Sequence, residues 1–218
     1  MMNFEQARFN MVEQQVRPWD VLNPEVLSVM AEVPRENFVP DQYKNMAYSD
    51  YGVPIGNHHE MLKPVLVGRL LQAVDIQSDD IVLEVGTGTG YLTACLAKLA
   101  AYVYSVDINE DFLPQAQRNL TSLEIDNVTL QSGDASSGWA ERPEYDVIVL
   151  TGSTPEVPEN YKNSLEIGGR LFVVCGEAPA MHAKLITRVS ERDWSEENIL
   201  ETELPPLENS TKEAEFEF

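Results

Sequence analysis

Residues 83–91 read LEVGTGTGY: an acidic residue near the end of one apolar run, three glycines alternating with threonines, and the start of a second run. Glycine suits a tight strand-to-helix turn because, lacking Cβ, it accepts positive φ and lets another group approach the backbone closely. The helix that follows presents unpaired N–H groups at its first turn, a natural seat for an anion. Gly86, Gly88 and Gly90 together cost more backbone entropy than a plain turn requires. The stretch therefore predicts a ligand-binding turn at the C-terminal end of a strand.

Downstream, the pattern alternates. IVLEV, AYVYSV, NVTLQ, YDVIVL and RLFVVC are short, β-branched and almost continuously apolar, as strands buried on both faces must be. GYLTACLAKLA and EDFLPQAQRNLTSL lie between the first three, with helical period and crossover length. YKNSLEIGG reads as a helix with a glycine stop, and HAKLITRVS and NILETELP offer two more strands. The expectation is an α/β fold: an open, mostly parallel seven-stranded sheet with helices on both faces.

Before Asp80 the pattern is helical and broken by proline. Phe4, Ala7, Met11 and Val12 share one helical face up to a break at Arg17-Pro18. Asn23-Pro24 is an N-cap followed by proline at the first helical position of PEVLSVMAEV. KPVLVGRLLQAVDI predicts another helix, after a proline-bounded stretch read as loop. Residues 1–79 are thus expected to be an N-terminal helical segment with a loop, packed on the same domain as an α/β core over 80–207. Residues 208–218 read as an acidic, frayed C-terminal tail.

The 218 residues are 43% hydrophobic and 23% charged, ordinary for a globular chain. With 36 acidic against 15 basic residues the net charge is -21, which opposes electrostatic binding to nucleic acid or anionic lipid. Cys95 and Cys175 sit inside apolar runs and read as inert buried thiols. The first residues lack the charged start and apolar core of a signal peptide, and no apolar stretch approaches membrane-spanning length. A cytoplasmic protein is expected, with no metal site.

Two ligand classes compete for the glycine turn. A dinucleotide turn reads G-x-G-x-x-G or A, which from Gly86 demands a small residue where Tyr91 stands. The register is instead E-x-G-x-G-x-G, and Glu84 would repel a pyrophosphate while welcoming an ammonium group. Asp107 ends the second strand, twenty-one residues beyond Gly86, where a carboxylate can accept from both ribose hydroxyls. Asp134 in SGDA is placed to meet an adenine amino group, and the YDVIVLTG strand ends at the ligand's amino-acid portion. This arrangement resembles the Rossmann-like S-adenosylmethionine-dependent methyltransferases. The expected cofactor-binding residues are Glu84, Gly86, Thr87, Gly88, Gly90, Tyr91, Asp107, Ile108, Asp134, Ala135 and Thr151, with S-adenosyl-L-homocysteine as product.

The likeness extends beyond the donor motif. MVEQQVRPWDVLNPEVLSVMAEVPRENFVP, MAYSDYGVPIG, VLEVGTGTGYLTACLAKL, LTGSTPEVPENYKNSLEIGGRLFVVCG and ETELPPL resemble the protein-L-isoaspartate O-methyltransferase family from about Met11 to Leu207. The resemblance implies methylation of a peptide or protein carboxylate in protein repair, with Asn57, His58, His59, Glu60, Met61 and Leu62 covering the acceptor. The chain departs from the family within IGNHHEMLKP. His59, Glu60, Met61 and Leu62 take the places of the family's glutamine, threonine, isoleucine and serine. Leu62 cannot donate a hydrogen bond, and Glu60 adds negative charge where an anion should enter. A carboxylate acceptor is ionised at neutral pH and needs no general base, so no residue is expected to act as catalytic acid or base. Other readings remain open: a different protein or small-molecule acceptor, or a non-catalytic module that binds the donor. Oligomeric state is not legible in the sequence.

Overall fold

The computed structural model describes residues 3–210. Helix α1 (Phe4–Asn10) is capped by the Asn3 side chain, which accepts from the Gln6 amide at 3.1 Å. A π-helical turn (Met11–Val16) and a 3-10 turn (Arg17–Trp19) carry it on to Asp20, whose left-handed backbone ends the run. Helix α2 (Pro24–Glu32) starts as its sequence predicts: Asn23 accepts from the Glu25 and Val26 amides, and Pro24 needs no donor. The proline-rich stretch folds as short 3-10 turns followed by a two-stranded antiparallel hairpin, β1 (Val53–Gly56) and β2 (His59–Met61). Helix α3 (Pro64–Val74) follows, its Val65 amide capped by Asp50 at 3.0 Å.

The main sheet is built from β3 (Ile81–Val85), α4 (Tyr91–Leu99), β4 (Tyr102–Asp107), α5 (Leu113–Ser122) and β5 (Val128–Ser132). It continues with β6 (Tyr145–Thr154), α6 (Glu159–Asn163), β7 (Leu165–Glu177), β8 (Ala180–Arg188) and β9 (Trp194–Glu201). The seven strands lie in the order β5-β4-β3-β6-β7-β8-β9. β5 to β7 are parallel, while β8 and β9 add antiparallel pairs. The order reverses at β3, flanked by β4 and β6, so a crevice opens beyond its C-terminal end. That is where the glycine turn sits.

Strand alternation divides the core into two clusters. Val82, Val103, Val147, Val149, Phe172 and Val174 face the cluster that includes α1 to α5. Leu83, Val85, Ile148, Leu150, Leu171 and Val173 face the other, which Tyr161 of α6 joins. Helices thus lie on both faces, but unevenly: the second face is covered by one five-residue helix and by side chains such as Trp139, Trp194 and Leu207. At the opposite end of the sheet Arg170 ties α3 to β7. It donates to the Val74 and Asp75 carbonyls and meets Asp80 at 2.6 Å.

Three boundaries differ from the sequence reading. YKNSLEIGG stops being helical at Asn163, and β7 begins at Leu165, because that leucine is fully buried and pairs with Tyr145. The last strand lies earlier than NILETELP, since the turn in which the Val189 amide donates to the Asp193 carbonyl sets Trp194 opposite Arg188. The start of the supposed tail is docked: Glu208 meets His59 at 3.0 Å and the Asn209 side chain donates to Asp134 at 2.9 Å. Residues 211–218 of that tail lie outside the described residues.

Candidate donor and acceptor site

All three glycines of the turn have positive φ: 100° at Gly86, 51° at Gly88 and 87° at Gly90. At Gly86 a Cβ would stand 1.9 Å from the Thr151 hydroxyl, which donates to the Val85 and Gly86 carbonyls at 2.8 and 3.1 Å. The Gly86 amide donates to the Val106 carbonyl at 2.7 Å. The ends of β3, β4 and β6 are therefore pulled together around bare backbone. Asp107 locks the arrangement, its carboxylate accepting from the Gly88 amide at 2.8 Å and the Asn109 amide at 2.9 Å. Burial raises its pKa, and the two amide bonds offset only part of that rise.

Beyond the turn lies an open cleft lined by Val85, Gly86 and Gly88, by Asp107 and Ile108, by Asp134 and Ala135, and by Thr151. Asp134 is exposed at the rim, where bonds from the Ser136 amide and the Asn209 side chain hold its carboxyl below the usual range. Ala135 is buried, its carbonyl accepting from the Tyr161 hydroxyl. Among the described residues no lysine or arginine lines the cleft, and four carboxylates do: Glu60, Asp107, Asp134 and Glu208. Such a wall repels a pyrophosphate. It suits a ligand rich in cationic, amino and hydroxyl donors.

Glu84 is placed differently from its sequence expectation. It shares the face of Val82, under α4, and is fully buried below the turn instead of lining the cleft. Its Oε2 accepts from Thr93 at 2.5 Å and from Ser105, its register partner on β4, at 2.6 Å. The Ser105 hydroxyl meets Thr87 Oγ1 at 2.6 Å, so the acidic residue braces the turn from beneath. Desolvation raises its pKa to about 8. Gly90 caps α4 and packs on Ala116 rather than lining the cleft.

Thr87 and Tyr91 face a second, smaller cavity, which shares Ile55, Glu60, Gly86, Gly88 and Thr151 with the first. The hairpin roofs both. Asn57 and His58 form its tip, with left-handed φ of 48° and 64°, and both are exposed away from the cleft. His59 and Glu60 line the donor cleft, whereas Glu60, Met61 and Leu62 line the second cavity. The structure thus brings four of the six expected acceptor residues to the two cavities. Among the described residues no cluster of His, Cys, Asp and Glu could hold a metal ion.

Two elements of the site escaped the sequence reading. The first is a strap, residues 204–210, laid along the end of β6. The Ser153 amide donates to the Pro205 carbonyl and the Leu207 amide to the Ser153 carbonyl, each at 2.9 Å. Gly152 makes room for it, since a Cβ there would stand 2.8 Å from Leu207 Cδ2. Leu204 to Glu208 line the cleft, and Glu208 reaches His59 at 3.0 Å. The only signal was the prolines of ELPPLE, which end a strand without saying where the chain goes next. The second is Arg35, fully buried beside the second cavity.

With this geometry described, comparison with known proteins is informative. Residues 7–211 match the family model for protein-L-isoaspartate(D-aspartate) O-methyltransferase. The protein-L-isoaspartate O-methyltransferase of Syntrophus aciditrophicus is 36% identical over 201 residues, covering 91% of this chain and 92% of the relative. A solved protein-L-isoaspartate O-methyltransferase superposes with a TM-score of 0.78 at 26% identity, covering 91% of this chain and 65% of that one. A Plasmodium falciparum chain described as a beta-aspartate methyltransferase, solved with S-adenosyl-L-homocysteine, shares the fold at a TM-score of 0.79 and 19% identity, over 95% of this chain and 99% of its own.

Proposed function

The chain belongs to the protein-L-isoaspartate(D-aspartate) O-methyltransferase family, and we propose that it methylates a peptide or protein carboxylate, with isoaspartyl residues as the first candidate acceptor. The observation that carries this reading is the pairing of two adjoining cavities at one glycine turn, the larger walled by four carboxylates and, among the described residues, by no lysine or arginine. S-adenosylmethionine, bound in the larger, supplies a methyl group on a positively charged sulfur. The residues fit it: Asp107 has acceptor capacity left for ribose hydroxyls, and Asp134 offers its rim carboxylate to an adenine amino group. The bare backbone at Gly86 and Gly88, with Thr151, takes the methionine end, and Ile108 lines the cleft beside Asp107. Glu84, Thr87 and Gly90 hold the turn in shape from below, and Tyr91 faces the acceptor side.

An ionised carboxylate needs no proton removed, so these residues contribute alignment and exclusion of water. The hairpin roof and the strap perform that exclusion. Residues 1–79 and 80–207 act as one domain, since one core cluster runs from Met11 to Leu204. The acidic surface, at a net charge of -21, favours a peptide partner over nucleic acid, and a cytoplasmic setting fits a repair methyltransferase. No helix among the described residues is long and apolar enough to cross a membrane.

The test is methyl transfer from labelled donor to an isoaspartyl peptide, its aspartyl counterpart and a lysate. Label on the isoaspartyl peptide alone is the expected result. Label only in lysate would point to another acceptor, and none anywhere to a donor-binding module.

A further inference from the structure

Arg35 is a buried cation without an anion. Nε donates to the Ala47 carbonyl and Nη2 to the Leu62 carbonyl, both at 2.8 Å, and the guanidinium lies 4.7 Å over the Tyr91 ring. Two partly buried arginines have carboxylate partners: Arg170 meets Asp80 at 2.6 Å and Arg188 meets Glu144 at 3.0 Å. Arg35, the most buried, has none among the described residues, and its Nη1 makes no hydrogen bond. A desolvated charge in this state is costly unless something pairs with it.

Two neighbours share the condition. The hydroxyls of Thr89 and Tyr91 are buried without a hydrogen bond of good geometry, the Tyr91 hydroxyl lying close to Arg35 and Cys95, and Arg35, Thr89 and Tyr91 all line the second cavity. A guanidinium can only donate, and both hydroxyls can donate as well. The complement of three such groups is a compact anion with oxygen acceptors. Because this cavity adjoins the donor cleft at Gly86 and Gly88, a group held there lies beside the methyl-transfer point.

We propose that Arg35, assisted by Thr89 and Tyr91, anchors the acceptor carboxylate. The inference rests on the function proposed above and adds the residues that recognise its substrate class. It also assigns Glu60 a place: lining both cavities, it stands at their junction, while Arg35 supplies the opposing charge. Methylation neutralises the carboxylate, so the ester loses its ion pair and departs.

The experiment measures binding, in the presence of S-adenosyl-L-homocysteine, of an isoaspartyl peptide and of the same peptide with that carboxylate converted to a primary amide. The wild-type protein should prefer the carboxylate at least tenfold. Arg35→Met should abolish the preference, and Thr89→Ala and Tyr91→Phe should each reduce it severalfold. The ratio separates recognition from architecture, since a purely structural loss weakens both peptides alike. Should Arg35→Met fail to fold, because two carbonyls lose their donor, the Thr89 and Tyr91 variants decide the matter. Equal wild-type binding of acid and amide, or variants that keep the full preference, would overturn the inference alone. A wild-type protein that binds the homocysteine product but neither peptide would overturn the proposed function and this inference together.

Discussion

Glu84 and Ser105 face each other across β3 and β4, and the serine hydroxyl donates to Glu84 Oε2 at 2.6 Å inside a fully buried network. A carboxyl in this position should read out in stability against pH. Burial raises its folded pKa to about 8 from an ordinary 4.5. The folded state then holds a proton that the unfolded state releases, so its contribution is fully present below pH 4.5 and is lost as pH rises to about 8. Urea denaturation between pH 5 and 9 should show wild type losing stability faster than Glu84→Gln, by up to about 1.4 kcal/mol per pH unit. Parallel curves would refute a proton on Glu84.

Asp107 is expected to matter to the ligand more than to the fold. Its two amide bonds fix the turn, but charge-assisted bonds to ribose hydroxyls are worth ~1.5–3 kcal/mol. Asp107→Ala should weaken S-adenosyl-L-homocysteine binding about tenfold or more by calorimetry. Unchanged affinity would remove Asp107 from the ribose site.

The hairpin substitutions make a gain-of-function test. Two unit charges ~4 Å apart at an effective dielectric of ~20 repel by ~4 kcal/mol, so Glu60 opposes an anionic acceptor. The variant Glu60→Thr with Leu62→Ser deletes that charge and adds a hydroxyl on the second cavity's wall, while Arg35 still holds the main chain at position 62. Activity on an isoaspartyl peptide should rise more than tenfold, half the estimated repulsion already exceeding one decade. An unchanged rate would mean this loop does not set specificity.

Arg170 and Asp80 are predicted to hold the helical segment to the sheet. Arg170→Met leaves a buried carboxylate short of its partner and frees two carbonyls at the end of α3. The loss should be on the order of 3 kcal/mol in denaturant unfolding. A shift under 1 kcal/mol would show that the pair is dispensable.

The five parallel strands and the donor turn were legible because each is a local pattern: continuous apolar runs, glycine spacing, and a carboxylate at a strand's end. Asp107, Asp134, Ile108 and Thr151 reach the cleft for that reason. Glu84 was legible as a motif residue but not as a buried one, since the face it takes depends on strand pairing. Arg35 gave no signal, because a lone arginine opening a 3-10 turn shows neither its burial nor the two distant carbonyls it meets. The strap was hidden likewise. Its hydrogen bonds run to Ser153, far upstream, and only the folded sheet brings that backbone within reach.

The strap also bears on synthesis. The glycine turn, β4 and β6 leave the ribosome well before Leu204 to Glu208, yet those late residues form one wall of the donor cleft. Vectorial emergence therefore yields a chain whose sheet can assemble while its ligand site still lacks a side. Asp134 lacks its Asn209 partner until the strap docks. Competence to hold the methyl donor is in this sense a late event in the life of each molecule, set by docking of the strap and not by formation of the core.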